Sequence, residues 1–182
     1  PVYTAVRVCA LSGVSGSFFI VGRGFALWAV HIPVVAERLQ LDPAVLGLAR
    51  LNVGLGGVIS QPLTGWIVAH TGSRAAARVL LPITMLAFIA PIIAWATPVF
   101  FVATFAIGMA GGASNVALNV QAAEIERARG LPTMSSFHGF FSLGALVGAG
   151  IGSGIIALGL QPGEGAGGVL GVLLALALGL TR

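Results

Sequence analysis

The stretch from Phe105 to Gly152 constrains this chain more than any other. It runs Phe105-Ala-Ile-Gly-Met-Ala-Gly-Gly-Ala-Ser-Asn115-Val-Ala-Leu-Asn119-Val-Gln121, breaks at Glu124, Glu126, Arg127 and Arg129, and resumes as Phe137-His138-Gly-Phe-Phe-Ser142-Leu-Gly144. Each apolar part is long enough to cross a hydrocarbon layer of about 30 Å as a helix. At about 100° per residue, Gly108, Gly111, Gly112, Asn115 and Asn119 share one helical face. A carboxamide without a hydrogen bond in hydrocarbon costs several kcal/mol, so that face must meet protein or a wet cavity. The whole chain is 57% hydrophobic and 8% charged. So few charges cannot coat a soluble globule of this length, and the chain reads as an all-α integral membrane protein.

All nine basic residues are arginine. Without lysine, a P-loop nucleotide site and a Schiff-base enzyme each lack their central residue. The net charge of +4 is read as a topology signal, not as a nucleic-acid surface. Cys9 is alone and His31, His70 and His138 lack metal-ligand spacing, so neither a disulfide framework, nor a metal, nor another cofactor is expected.

The hydropathy pattern predicts six transmembrane helices over 8–30, 44–69, 77–96, 98–122, 136–160 and 165–180, forming one bundle over residues 1–182. Asp42-Pro43 and Thr97-Pro98 each read as an N-cap followed by a first-turn proline, and Ser135 or Ser136 as the cap of the fifth helix. Pro82 and Pro91 fall inside the third helix, which is expected to bend. Arg7, Arg74, Arg78, Arg127, Arg129 and Arg182 fall on one side and Arg38 on the other, so both termini are placed in the cytoplasm. Connections of similar length at 31–43 and 123–135 suggest two three-helix units of opposite topology, the inverted repeats of secondary transporters.

Polarity is uneven among these helices. The first aligns Ser12, Gly16 and Arg23, the second Arg50, Gly54, Gly57 and Gln61, the fourth the Asn115 face, and the fifth His138, Ser142, Ala145, Ala149 and Gly152. Helices 1, 2, 4 and 5 should surround a cavity, with 3 and 6 outside. Candidate solute-binding residues are therefore Ser12, Arg23, Gln61, Asn115 and Asn119. Arg23 has two readings, a cavity-facing cation for an anionic or hydroxyl-rich solute, or a side chain snorkelling to the interface. Asn115 and Asn119 either bind solute or join helices. His138 either carries a coupling proton or is simply interfacial. Gly144, Gly148 and Gly152 recur every fourth position, a spacing that admits a close neighbouring helix. Trp28, Trp66 and Trp95 are placed in an aromatic belt near the span ends.

Three stretches resemble the N-terminal half of a permease of the major facilitator superfamily (MFS), in a bacterial inner-membrane branch distantly similar to fucose-permease-like sugar transporters. They are Trp28-Ala-Val-His-Ile-Pro33, Gly65 to Arg74, and Asn115 through Gly144 with Pro132-Thr-Met-Ser-Ser-Phe-His138 at its core. The resemblance implies a first six-helix bundle with helices 1 and 4 lining the cavity, and assigns His70 and Arg74 to the gating loop between helices 2 and 3. It departs from the family at Ala69, where the loop usually has an acid, and at Asn115, where related chains often have one. The function implied is secondary active transport of a small polar solute, a sugar or related metabolite, by alternating access. A coupling proton is implied too, and a C-terminal six-helix half or a second copy completes the site. Alternatives are a nonfunctional truncated fragment, an oligomeric channel, and an intramembrane serine protease built on Gly13-Val-Ser15-Gly16 with His138 as base.

Overall fold

The structure is a computed structural model. It describes the backbone of residues 2–160 and 162–180, with side chains from Leu11 onward except at 161–164, 166, 170, 178 and 180. Arg7 and Arg182, two of the arginines used to orient the chain, lie outside the described side chains. Six α-helices follow in order: α1 Val2–Arg38, α2 Pro43–Thr71, α3 Ser73–Ile89, α4 Thr97–Arg129, α5 Met134–Ala157 and α6 Pro162–Leu180. Among the described residues, α1, α2, α4 and α5 each carry a segment long and apolar enough to cross a membrane.

The helix ends have local causes. Asp42 caps α2 by accepting the Val45 N–H at 2.9 Å, with Pro43 at the first helical position, as expected from the sequence. Gly72 turns the chain sharply from α2 into α3 at φ 84°. At the end of α4, Gly130 takes a left-handed conformation at φ 66° and donates its N–H to the Glu126 carbonyl.

Other expected boundaries are corrected. The first helix does not stop at Val30 but continues through Pro33 to Arg38, because Val35 packs with Ala49, Ala94 and Phe100 in a small core at that end. Arg38 then donates to the carbonyls of Ile92 and Ala94 at 2.7 and 2.8 Å. The fourth helix likewise runs on to Arg129, so the long connections at 31–43 and 123–135 shrink to 39–42 and 130–133. The third helix ends at Ile89 instead of bending through Pro91, which has no N–H to continue the helical hydrogen bonds. Thr97 is not a cap, since Ala96 holds that position without a side-chain bond. Neither Ser135 nor Ser136 caps α5. Glu126 of α4 does so, its Oε2 accepting the N–H groups of Thr133 and Met134 at 2.6 and 2.7 Å.

Two helix pairs approach at backbone contact. On α5, a β-carbon at Gly144 or Gly148 would collide with the carbonyl of Phe19 or Arg23 on α1, and Gly22 meets Phe141 in the same way. On α4, a β-carbon at Gly108 would collide with the Val53 carbonyl of α2, and one at Gly112 with the Ser60 hydroxyl and the Gly57 backbone. Small residues permit this approach, and in a membrane close packing and hydrogen bonds replace the hydrophobic drive between helices. The α2–α4 pair adds Asn52, which donates to the Phe101 carbonyl at 2.6 Å and to Thr104 at 3.1 Å. Thr84 ties α3 to α4 through the Ala110 carbonyl and Ser114.

The helices also rank differently from the sequence expectation. α3 buries one face, Leu81, Met85 and Phe88, against the other helices and leaves Val79, Ile83 and Leu86 exposed, with Phe88 alone of its described residues lining the cavity described below. α2 and α5 also leave large apolar faces open, Leu51, Val58 and Trp66 on one and Leu143 and Leu146 on the other. Trp28 is buried well inside α1 and does not join a belt, whereas Trp66 and Trp95 are exposed.

Candidate functional site

A cavity of about 390 Å³ opens between the α1–α5 pair and the α2–α4 pair. The glycines of α4 make it concave. Gly108 and Gly112 are used up by contact with α2, but a β-carbon on Gly111 would meet nothing within 4 Å. With no side chain at these positions, the helix surface recedes and leaves the volume. α1 supplies Phe18, Val21 and Phe25 at a spacing of three and four residues, which puts them on one helical face.

Four phenylalanines, Phe18, Phe25, Phe88 and Phe141, supply the large side chains of the wall. Phe25 stands against Phe88 and Phe141 with ring centroids 6.3 and 6.4 Å apart. Phe18 stacks on the buried Phe137 at 5.7 Å and meets the His138 ring edge-on at 5.4 Å. Such contacts fix the rings in place. Two polar side chains, Asn115 and His138, stand among the described lining residues.

The two asparagines have distinct tasks. Asn119 Nδ2 donates to the Asn115 main-chain carbonyl at 2.8 Å and to Asn115 Oδ1. A carbonyl only accepts, so the facing atom of Asn119 is nitrogen and the atom of Asn115 beside it is oxygen. The Asn115 NH₂ group has no hydrogen-bond partner among the described residues, and Asn115 is a lining residue of the cavity. Asn119 holds Asn115 and does not itself line the space.

The other predicted residues are placed elsewhere. Arg23 lies two residues from both Val21 and Phe25, about 160° around the helix from each, and is not in the lining. Its Nε is buried without a hydrogen-bond partner among the described residues. Ser12 and Gln61 are exposed and do not line the cavity. The buried residues of α2 are Ala49, Gly56, Ser60, Thr64 and Val68, and of the stripe Arg50, Gly54, Gly57 and Gln61 the cavity takes Gly57. His70 hydrogen-bonds the Trp66 carbonyl at 2.7 Å and stacks on the Trp66 ring at 4.4 Å. Arg74 is exposed in the first turn of α3. Both stand at the arginine-bearing end, away from the cavity lining.

Sequence reasoning missed the phenylalanine walls, because a phenylalanine in an apolar helix carries no signal of whether it meets lipid, core or solute. It also passed over His31, which is fully buried with Nδ1 2.7 Å from the Leu27 carbonyl and Nε2 unpartnered among the described residues. Among the described residues, no group of three or more histidine, cysteine or acidic side chains is placed to hold a metal ion.

No protein-family model matches the chain. It is 41% identical over 148 residues to an uncharacterized MFS-type transporter of Yersinia pestis, covering 80% of this chain and 38% of that protein. It is 37% identical over 138 residues to an uncharacterized transporter of Sinorhizobium fredii, covering 75% of this chain and 36% of the relative. With the membrane protein MosC of Rhizobium meliloti it shares 32% identity over 142 residues, 76% of this chain and 34% of MosC. The chain thus spans little more than a third of each relative's length. The fucose-permease branch expected from the sequence finds no support in these names.

Proposed function

From the premise that this chain is an MFS-like segment of a multi-pass membrane protein, we propose that it forms the N-terminal half of a secondary active transporter. In this proposal all six helices span a bacterial inner membrane, as two three-helix units of opposite orientation, with both termini cytoplasmic. The solute is small and polar, a sugar or related metabolite, and moves by alternating access. A C-terminal six-helix half, or a second copy, supplies the opposite wall.

The observation that supports this most is the cavity between the two glycine-packed helix pairs. Glycine seams without bulky side chains let each pair move as a unit, while the space between the pairs stays open to a solute. In the same proposal His138 is the residue placed to take a coupling proton, being an ionisable side chain in the wall, and Arg74 and His70 act in the gate at the far end. Asn115 is the principal solute contact.

The test is uptake into proteoliposomes by Gly111→Leu. A β-carbon at this lining position meets nothing within 4 Å, so the variant should fold as well as the parent and, with its side chain filling part of the cavity, lose at least tenfold in uptake. Unchanged uptake by a well-folded Gly111→Leu protein would reject the cavity as the transport path. Flux that fails to saturate with solute would instead indicate a channel.

A further inference from the structure

We infer that the cavity is built for an uncharged solute that pairs a flat apolar face with a hydrogen-bond acceptor on one edge, and that it selects against organic anions. This rests on the carrier reading of the cavity and names the chemistry of what is carried. The apolar face is recognised by Phe25 and Phe141, whose rings are held by one another and by Phe88. The acceptor edge is recognised by Asn115. Asn119 takes one lone pair of the Asn115 side-chain oxygen and leaves the NH₂ group without a partner among the described residues, so the larger hydrogen-bonding capacity Asn115 has left is a pair of donors, which calls for a hydroxyl, ether or carbonyl oxygen.

Charge selection follows from what is not in the wall. No arginine, lysine, aspartate or glutamate is among the described lining residues. Arg23, the cation that would favour an anion, faces the opposite side of α1. With His138, the one ionisable side chain among the described lining residues, in its neutral form, a carboxylate entering a space lined by phenylalanine, glycine and aliphatic side chains loses hydration that neutral donors do not replace. A neutral ring loses little and gains stacking area.

The test compares two probes with the same aromatic ring and sugar ring, 4-nitrophenyl β-D-glucopyranoside and 4-nitrophenyl β-D-glucuronide, which differ by a carboxylate. Equilibrium binding is measured on the protein in lipid nanodiscs, with uptake in proteoliposomes alongside. The glucopyranoside is expected to bind at least tenfold more tightly than the glucuronide. Asn115→Asp, which keeps the shape and removes the donors, should weaken it at least tenfold. Phe141→Ala should weaken it and Phe141→Trp should restore it, with monodispersity of each variant as the folding control. Equal or tighter binding of the glucuronide overturns the inference, as does binding of neither probe. Selective, Asn115-dependent binding without uptake supports the ligand class while removing the carrier reading. Saturable, Asn115-dependent uptake of the glucuronide alone keeps the carrier and overturns the ligand class.

Discussion

Gly148 of α5 lies against the backbone carbonyl of Arg23 on α1, so closely that no β-carbon fits between them. The main chain of α1 is seated in a groove of glycines, and the direction of every side chain on α1, Arg23 included, follows from that seat.

Gly148→Ala should therefore destabilise the protein by about 1–3 kcal/mol, the usual cost of overpacking a tight contact. Gly150, two residues on in the same helix, has nothing within 4 Å of a new β-carbon. Gly150→Ala should leave stability unchanged or raise it by about 0.5–1 kcal/mol, from the lower entropy cost of alanine in a helix. Thermal unfolding of both variants in the same detergent checks the pair.

Glu126→Ala should loosen the start of α5, where the carboxylate accepts two N–H groups that the helix itself leaves unpaired. The expected loss is about 1 kcal/mol, seen as roughly fivefold faster amide exchange at Thr133 and Met134. Glu126→Gln keeps an acceptor oxygen and should lose less.

Arg38→Met should free the link between α3 and α4 at the other end. The methionine keeps an apolar stem but cannot donate to the carbonyls of Ile92 and Ala94. A loss of about 1 kcal/mol is expected for these partly exposed bonds. Limited proteolysis should cut within 90–96 faster than in the parent.

Asn52→Leu should weaken the α2–α4 pair by about 1 kcal/mol, the scale of side-chain hydrogen bonds between membrane helices. A double-mutant cycle with Thr104→Val isolates the side-chain part of the link, and the coupling should be about 0.5 kcal/mol. A cycle with Gly111→Leu should show no coupling, since Gly111 faces the cavity and Asn52 the helix seam.

Much of this was legible in the chain. The apolar runs required helices, because backbone groups in hydrocarbon must be paired within their own segment. Asp42-Pro43 marked the start of α2, since cap and proline act through neighbouring backbone alone. The four-residue rhythm of Gly144, Gly148 and Gly152 announced a helix seam. Asn115 stood out because an amide in an apolar run needs a partner, and the structure places it in the cavity wall.

What failed was each inference that needed a distant partner. Glu126 read as part of a charged break, but it caps α5, and only the return of the chain reveals that. The first helix read as ending at Val30, yet packing around Val35 and the reach of Arg38 carry it on through Pro33. Arg23 read either as a cavity residue, sharing a helical face with Ser12 and Gly16, or as a side chain snorkelling to the interface, and it is not among the residues that line the cavity. Periodicity gives the angles between side chains on one helix but not the rotation of that helix against its neighbours. That rotation is fixed where backbones touch, by glycines on a helix more than a hundred residues away. The sequence by itself determined that there would be helices, where most began, and which surfaces were smooth; tertiary packing alone decided which residues those smooth surfaces turned toward the cavity.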